Sequence, residues 1–427
     1  MIDLELDINA SDKSLSHRAV IFSLLAQKPC IVRNFLMGKD CLSSLEIAQN
    51  LGAKIDFITQ NSFKITPPLT LKEPNNILNC NNSGTSMRLY AGLLSAQKGL
   101  FVLSGDNSLN SRPMKRIIEP LNACGAKILA RENNHLAPLV ILGSPLKAFD
   151  YESPIASAQV KSALILSALQ AQGISTYKEN ELSRNHTEIM LNKLGANIQN
   201  KQGVLKITPL EKPLDSFDFS IANDPSSAFF FALACVIVPN SRILLKNVLL
   251  NPTRIEAFEV LKKMGAKIEY LIKSKDLEII GDIYVEYAPL NAITIDKNIA
   301  SLIDEIPALS IAMLFAKGKS EIKNAKDLRA KESDRINAII SNLKALKLEC
   351  EEFEDGFCIE GLENAENLKQ HFSKIKPPII KSFNDHRIAM SFAILGLVLP
   401  LEIDNLECAS ISFPKFHTML NSLKQGK

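Results

Sequence analysis

Five short segments of the sequence combine charged and small polar residues next to apolar runs, and each contains an arginine. An arginine guanidinium is planar and can donate two parallel hydrogen bonds to a phosphate or a carboxylate. Because a hydrogen bond to a charged group contributes about 1.5–3 kcal/mol, five such residues predict a polyanionic ligand. The segments span residues 12–18, 82–88, 105–114, 331–335 and 384–387, and their arginines are Arg18, Arg88, Arg112, Arg335 and Arg387.

Residue spacing in two of the segments predicts charged helix faces. Ser14 and Arg18 are four residues apart, so they share one face of a helix. Lys331 and Arg335 have the same spacing and are also expected on one face, with Glu332 beside them. Carboxylate and ammonium groups transfer protons when burial and neighbouring charges adjust their pKa values. For any single segment, a solvated charged face is the alternative interpretation.

The second segment places a glycine among small polar residues just before an arginine. Gly84 follows Asn82 and Ser83 and lets the backbone approach an anion, onto which Arg88 can fork. The sequence has no Walker phosphate loop, no Gly-x-Gly-x-x-Gly motif and no Gly-x-Ser-x-Gly elbow. The predicted anion is therefore neither a nucleoside triphosphate nor a dinucleotide.

A repeated phrase indicates which elements must position these segments. Its four clear copies centre on Gly52, Gly125, Gly195 and Gly265, at intervals of 73, 70 and 70 residues. Each copy ends an amphipathic run and begins an alternating apolar one, as expected where a left-handed glycine ends a helix before a strand. A weaker fifth copy at residues 345–350 has lost the glycine. Dividing 427 residues by six gives units of about 71.

A second helix is predicted in several units, about thirty residues after the glycine phrase. These helices are expected at residues 83–97, 157–170, 226–237 and 385–398, and each opens with serine or aspartate. Such residues cap free backbone N–H groups, and the positive end of the helix dipole lies beside them. A helix start of this kind can bind an anion. A simple cap without a ligand remains the alternative for any one of them.

Composition excludes several classes of protein. The chain has 427 residues, 46% of them hydrophobic and 22% charged, with a net charge of +3. Its length predicts two or three domains, and its longest apolar stretches are too short for a bilayer. A start without a signal peptide predicts a cytoplasmic protein. Eight scattered cysteines predict reduced, mostly buried thiols and no structural zinc. Dispersed lysines and the lack of tryptophan argue against a nucleic-acid partner.

Taken in order, the motifs resemble those of the 5-enolpyruvylshikimate-3-phosphate synthase family over nearly the whole chain. The resemblance implies an α/β fold, a two-domain inside-out α/β barrel built from six βαβαββ repeats. One domain would span residues 12–223 and the other residues 1–11 plus 224–427, with the active site in the cleft between them. A sixth repeat would then be split between the chain ends. The motifs are residues 12–18, 82–88, 112–113, 157–159, 331–335 and 384–387.

The resemblance also implies an activity. The enolpyruvyl group of phosphoenolpyruvate would pass to the 5-hydroxyl of shikimate 3-phosphate, releasing phosphate by addition and elimination. Asp304 matches the family carboxylate at the reacting hydroxyl, Glu332 the one at the methylene carbon, and Lys13 would bridge both substrates. The residues implied for phosphoenolpyruvate are Lys13, Asn82, Gly84, Arg88, Arg112, Gln159, Glu332, Arg335 and Arg387. Those implied for shikimate 3-phosphate are Lys13, Ser14, Arg18, Ser157, Ala158, Gln159, Ser183, Arg184, Asp304 and Lys331.

Two other functions and several residue roles stay open at this point. The sister enzyme that acts on UDP-N-acetylglucosamine shares the fold but typically carries a cysteine before its Arg-Pro, and residues 105–113 contain none. An RNA-directed module of the same repeat would need a basic, aromatic face. For His17, packing and substrate binding are both open, while His386 and Lys415 have no assigned role. No cofactor, metal, nucleic-acid or membrane partner is expected, and the chain is expected to be a monomer with small-molecule substrates.

Overall fold

The chain is described by a computed structural model that covers residues 1–373 and 377–425. Its residues form two compact units. The terminal unit comprises Met1–Ala10, Ala222–Lys275 and Ile279–Lys427, and the inner unit comprises Ser11–Ile221 and Asp276–Glu278. The predicted second domain extends to residue 427, and its residues 374–376, 426 and 427 lie outside the described residues.

Short strands alternate with helices along the whole chain. The strands are β1 (Asp3–Leu6), β2 (Cys30–Arg33), β3 (Lys54–Thr59), β4 (Ser62–Thr66), β5 (Leu78–Asn79), β6 (Leu100–Ser104), β7 (Lys127–Ala130), β8 (Leu136–Leu142), β9 (Asp150–Ser153), β10 (Ser175–Glu179), β11 (Asn197–Lys201), β12 (Val204–Thr208), β13 (Asp218–Ser220), β14 (Arg242–Leu249), β15 (Lys267–Ser274), β16 (Ile280–Glu286), β17 (Leu290–Asn291), β18 (Thr294–Ile295), β19 (Ala316–Lys317), β20 (Lys319–Ile322), β21 (Cys350–Phe353) and β22 (Gly356–Glu360). The helices are α1 (Lys13–Ser23), α2 (Lys39–Asn50), α3 (Gly84–Leu94), α4 (Asn107–Asn110), α5 (Lys115–Ala123), α6 (Arg131–Asn134), α7 (Ala158–Ala168), α8 (His186–Lys193), α9 (Pro225–Ile237), α10 (Glu256–Met264), α11 (Ile299–Leu302), α12 (Ile306–Met313), α13 (Arg335–Ala345), α14 (Ala365–Phe372), α15 (His386–Leu395) and α16 (Phe416–Gln425), with 3-10 turns at Lys326–Ala330 and Leu406–Ile411.

One strand arrangement recurs in five four-stranded sheets of the described residues. In the sheet β5-β6-β8-β7, the first two strands are parallel, and β8 is antiparallel to both β6 and β7. The sheets β9-β10-β12-β11 and β18-β20-β22-β21 follow the same order. In these three sheets, helices connect the first three strands, which gives a βαβαββ unit. The predicted α/β fold class is confirmed, while closure into a barrel is not seen among the residues that the structure describes.

Two of the repeats take their first strand from a distant part of the chain. β13 pairs in parallel with β2, and β1 pairs in parallel with β14. A shortened repeat at the end of the chain contains α15 and a single bridge between Ile380 and Ile403. The expectation that a sixth repeat is split between the chain ends is therefore wrong. Pairing with β14 buries Ile2 and sets Asp3 opposite Arg242, so the N-terminal strand completes the fourth repeat instead.

The glycine phrase ends a helix in each of its four copies, as predicted. The glycines have φ of 101°, 98°, 94° and 117°, in the left-handed region that a residue without Cβ enters without strain. In the fifth copy Lys347 takes the same place with φ of 55°. The Leu348 amide donates to the Leu343 carbonyl (3.0 Å), as the Ala53 amide donates to the Ala48 carbonyl (3.0 Å). The helix end is therefore retained without its glycine.

The predicted helix starts are largely confirmed. Ser83, Ser157 and Asp385 cap α3, α7 and α15 through side-chain oxygens that accept backbone N–H groups. The helix expected from residue 226 begins earlier, at Pro225, because the Asp224 carboxylate caps it. These helices are buried along almost their whole length, so each packs its apolar residues around the sheets while its polar N-terminus stays at an edge.

The cysteines match the expectation of reduced, mostly buried thiols. All eight cysteines are free thiols, and seven of them are buried. Burial raises the pKa of Cys30, Cys124 and Cys408 to about 11, so these thiols stay protonated. Within residues 1–373 and 377–425, none of the helices combines the length and the hydropathy that crossing a membrane requires.

Candidate functional site

The inner unit holds a buried arginine at the start of α3. Arg88 Nη1 donates a hydrogen bond to Gln159 Oε1 on α7, and Gln159 Nε2 donates to Thr85 Oγ1 (3.0 Å). Gly84 is needed beside this arginine, because a Cβ at that position would lie 2.8 Å from Arg88 Nη1. The glycine predicted to open space for an anion therefore also makes room for the guanidinium that would bind it.

The positive charge of Arg88 is not balanced by a carboxylate among the described residues. Its Nη2 donates to the Pro113 carbonyl (3.5 Å), and its Nε has no hydrogen-bond partner among the described residues. The residue is 5% exposed. Burial, then the charges of Arg116 and Arg112, lower the pKa of Arg88 to about 9. A buried guanidinium with cationic neighbours is a preformed site for an anion.

Two further cations of the inner unit have polar partners, an amide in one case and a carboxylate in the other. Arg112 Nη2 donates to Asn82 Oδ1 (2.6 Å), and the Asn82 amide donates to Asp106 Oδ2 (2.8 Å). Lys13 is the first residue of α1, and its ammonium contacts the Asp40 carboxylate. Burial raises the pKa of Asp40, but the charge and hydrogen bond of Lys13 outweigh burial and lower it. Asp40 therefore holds Lys13 as an ion pair in this state.

Arg18 connects three helices of the inner unit. Its Nε donates to Thr187 Oγ1 on α8 (2.8 Å), and its Nη2 donates to Ser162 Oγ on α7 (2.8 Å). Its Nη1 donates to the Ser14 carbonyl (3.1 Å), which confirms the shared helix face predicted for these two residues. The guanidinium is thus fixed by hydroxyl and carbonyl oxygens, which leave its charge available to a phosphate.

The remaining predicted residues of the inner unit lie at or near the starts of α7 and α8. Ser157 caps α7, and Ala158 is the first residue of that helix. Ser183 is buried, and its hydroxyl donates to Glu179 Oε2 at the end of β10 (2.7 Å). Arg184 follows Ser183 and lies two residues before α8 begins. Both helix starts therefore present polar groups from residues the sequence singled out.

The terminal unit holds a second arginine, surrounded by carboxylates. Arg335 is 1% exposed, and its Nε donates to Asp385 Oδ2 (2.9 Å). Its Nη2 donates to Glu332 Oε2 (2.8 Å), and its Nη1 lies 3.4 Å from Asp304 Oδ1. The structure thus brings together Arg335, Glu332 and Asp304. Arg387, in the first turn of α15, has a buried Nε without a hydrogen-bond partner.

The prediction that Lys331 and Arg335 share a helical face is wrong. Residues 331–334 precede α13, which begins at Arg335 because the Asp334 carboxylate accepts the Asn337 amide (3.0 Å). Lys331 instead ends the preceding 3-10 turn in an extended conformation. It still lies near the acidic group, since burial lowers the pKa of Lys331 while the charge of Asp304 opposes that shift.

The charge of Arg335 keeps Glu332 ionised. Burial raises the pKa of Glu332, but the charges of Arg335 and His386 outweigh burial and lower it to about 2. Burial, followed by the charge of Arg387, lowers the pKa of His386 to about 4. In this state Glu332 is therefore an acceptor, and His386 is neutral at physiological pH.

His17 and Lys415 are the two other residues whose roles the sequence left open. His17 is fully buried on α1, and its Nδ1 lies 2.7 Å from Ser44 Oγ. Burial, then the charge of Lys13, lowers its pKa to about 3, so the ring is neutral and packs inside the unit. Lys415 is exposed just before α16.

The sequence motifs did not identify two acidic partners of the cations, Asp40 and Asp385. Asp40, at the start of α2, forms an ion pair with Lys13, and it belongs to none of the sequence motifs. Asp385 lies inside the motif at 384–387, in which Arg387 was the residue assigned a role. Its contact with Arg335 spans 50 residues. The motif at residues 384–387 was itself the signal that could have identified Asp385.

Comparison with known proteins gives consistent results. The family model described as EPSP synthase (3-phosphoshikimate 1-carboxyvinyltransferase) matches residues 3–420. A 3-phosphoshikimate 1-carboxyvinyltransferase of Helicobacter pylori strain J99 is 83% identical over 422 residues, which cover 99% of this chain and 98% of that protein. Its counterpart in Wolinella succinogenes is 51% identical and covers 99% and 94%. A solved EPSP synthase from Acinetobacter baumannii is 35% identical, with a TM-score of 0.86, 99% of this chain covered and 96% of that chain.

Proposed function

This chain belongs to the EPSP synthase family, and on that premise we propose that it transfers the enolpyruvyl group of phosphoenolpyruvate to shikimate 3-phosphate. The 5-hydroxyl oxygen bonds to the central carbon of phosphoenolpyruvate while the methylene carbon gains a proton. The resulting tetrahedral intermediate then loses that proton and expels phosphate. The observation that carries the proposal is the buried Arg88, whose charge is left for an anion.

The proposed ligands divide between the two clusters. Arg88 and Arg112 of the inner unit bind phosphoenolpyruvate together with Asn82, Gly84 and Gln159. Arg335 and Arg387 of the terminal unit contact the same substrate, as does Lys13. The residues proposed for shikimate 3-phosphate are Lys13, Ser14, Arg18, Ser157, Ala158, Gln159, Ser183, Arg184, Asp304 and Lys331. The geometry supports this set, since Arg88 contacts Gln159 and Arg18 contacts Ser14.

Proton transfer is assigned to the carboxylates beside Arg335. Asp304 accepts the proton of the 5-hydroxyl, and Glu332 donates a proton to the methylene carbon. Glu332 is ionised without ligands, so it must gain a proton before it can act as an acid. Anionic substrates near Arg335 weaken its effect on Glu332 and so raise the pKa of that carboxyl.

A phosphate-release assay tests the proposed reaction. Purified chain is incubated with phosphoenolpyruvate and shikimate 3-phosphate, and a parallel sample receives UDP-N-acetylglucosamine in place of shikimate 3-phosphate. Phosphate release with shikimate 3-phosphate supports the proposal. No release, or release with the UDP-sugar alone, rejects it.

A charge-neutral variant tests the role of Glu332. Glu332→Gln keeps a hydrogen-bond acceptor for Arg335 but removes the proton-transfer group, and turnover is expected to fall about 10²- to 10⁴-fold. Glu269→Gln, on the exposed face of β15, is the matched control and is expected to keep normal turnover. Full turnover in the Glu332 variant would reject that residue's role and leave the reaction itself intact.

Three expectations from the sequence accompany this reaction as predictions. The chain is expected to work in the cytoplasm, as a monomer and without a cofactor. Side chains and helix N-termini are expected to neutralise the anionic substrates. Sedimentation at micromolar concentration checks the oligomeric state, and turnover in the presence of a chelator checks the cofactor.

A further inference from the structure

One buried cation of the inner unit takes no part in the proposed reaction. Lys161 lies in the first turns of α7, and its side chain is 1% exposed. Its ammonium lies 2.7 Å from Glu179 Oε1 and 2.9 Å from Glu188 Oε1, and it donates to the Ser183 carbonyl (3.1 Å). These four residues form what we call the Lys161 cluster.

The Lys161 cluster joins α7, β10 and α8, and proposed shikimate 3-phosphate ligands lie at the start of α7 and in the segment between β10 and α8. The Lys161 amide donates to the Ser157 carbonyl (2.9 Å), so Lys161 lies one helical turn after the residue that caps α7. Glu179 ends β10, and Glu188 lies in the first turn of α8. The segment between β10 and α8 carries Ser183, so one ammonium holds both sides of that segment.

Glu179 orients Ser183 directly. Its Oε1 accepts the Ser183 amide (2.9 Å), and its Oε2 accepts the Ser183 hydroxyl (2.7 Å). Glu179 and Glu188 have side chains only 7% and 11% exposed, so both carboxylates depend on Lys161 for neutralisation. Without that ammonium, two buried negative charges would lie beside a segment proposed to bind a phosphate.

We infer that Lys161 is a positioning residue for shikimate 3-phosphate, which holds Ser183 and Arg184 against the start of α7. The inference rests on the proposed function. It predicts a selective effect, because the polar partners of the Lys161 side chain lie within residues 179–188, whereas Arg88 and Arg112 contact residues 82–159.

Two variants separate this role from a general contribution to folding. Lys161→Met removes the ammonium and keeps the length of the side chain. Lys161→Met combined with Glu188→Gln also removes one carboxylate that would be left without its cation. Ile141→Ala, a buried position on β8 of the same unit, is the control for destabilisation alone. Each protein is measured for its melting temperature, its calorimetric affinity for shikimate 3-phosphate and its KM for phosphoenolpyruvate.

The expected result is a split between the two substrates. Both Lys161 variants should bind shikimate 3-phosphate about tenfold more weakly, the loss of one charged hydrogen bond, with KM for phosphoenolpyruvate changed less than about twofold. The double variant should recover melting temperature without recovering affinity. Ile141→Ala should lower the melting temperature and change neither substrate selectively.

Other outcomes overturn the inference. Normal affinity for shikimate 3-phosphate in either Lys161 variant, equal losses for both substrates, or an affinity that recovers together with the melting temperature would each show a merely structural role. The proposed function fails separately, since a chain that binds shikimate 3-phosphate but releases no phosphate with phosphoenolpyruvate rejects the reaction alone.

Discussion

Replacing Arg88 with methionine should stabilise the protein while abolishing most of its activity. Burial and neighbouring arginines lower the pKa of Arg88 from 12.5 to about 9. A tenfold change in an equilibrium corresponds to about 1.4 kcal/mol, so this shift sets an upper bound of about 5 kcal/mol on the cost of the buried charge. Contacts with Gln159 and the Pro113 carbonyl recover part of that cost. We expect Arg88→Met to raise the free energy of unfolding by about 2 kcal/mol.

The same substitution at Arg335 should have the opposite effect on stability. Burial lowers the pKa of Arg335, but the charges of Asp385, Glu332 and Asp304 outweigh burial and raise it. Arg335→Met leaves these carboxylates without their cation, and breaking a buried ion pair costs about 3–5 kcal/mol. The two variants lose the same guanidinium group and differ only in the charges around it.

Urea unfolding, followed by circular dichroism, measures both changes in free energy, and phosphate release measures activity. Loss of two charged hydrogen bonds to phosphoenolpyruvate should lower kcat/KM of Arg88→Met by about 10²- to 10⁴-fold. Phosphoenolpyruvate should also raise the melting temperature of the unaltered chain more than that of the variant. Destabilisation of Arg88→Met comparable with that of Arg335→Met, or retention of its activity, would refute the reasoning.

Three further predictions concern stability. Buried His17 and His386 have pKa values of about 3 and about 4, below the ordinary 6.5. Their contribution to the free energy of unfolding is therefore complete above pH 6.5 and is lost as pH falls, by about 2 kcal/mol for each histidine at pH 5. Unchanged urea midpoints between pH 7.5 and pH 5 would contradict this prediction. Lys347→Gly should raise the free energy of unfolding by roughly 0.5–1 kcal/mol, because only the left-handed φ of this position is relieved, and a lower melting temperature would count against it. Gly92→Ala should destabilise by about 1–3 kcal/mol or more and weaken phosphoenolpyruvate binding, because its Cβ would lie 2.1 Å from the Ala163 carbonyl oxygen where α3 packs on α7; a variant with unchanged stability and KM would show that the helices separate freely.

Local signals were sufficient to predict most of the fold. A glycine that ends a helix and a serine or aspartate that begins one act through hydrogen bonds within a few residues, so their positions can be read from the sequence. The pairing of two repeats with a first strand from a distant part of the chain could not be predicted in this way. β1 pairs with β14 and β13 pairs with β2 across more than 180 residues, and such short strands carry no local mark of their partner.

The candidate site was predictable in its cations and less so in their surroundings. Arg88 and Arg335 were both identified from their motifs, yet the sequence did not distinguish the one without carboxylates from the one with several. That difference depends on contacts between distant residues, such as the pair formed by Arg335 and Asp385. Lys331 was misplaced because a four-residue spacing predicts a shared face only inside a helix, and the Asp334 cap delays the helix to Arg335.

The contrast between the two arginines bears on how the proposed reaction obtains its acid. Arg88 has no carboxylate partner among the described residues and can bind an anion without losing an existing ion pair. Arg335 already holds Glu332, so an anion that approaches Arg335 competes with that carboxylate for one guanidinium. Because the charge of Arg335 is the main reason that the pKa of Glu332 is about 2, this competition raises the pKa toward the ordinary range. Glu332 then gains a proton as substrate binds, and the group that protonates the methylene carbon forms only when that carbon is present.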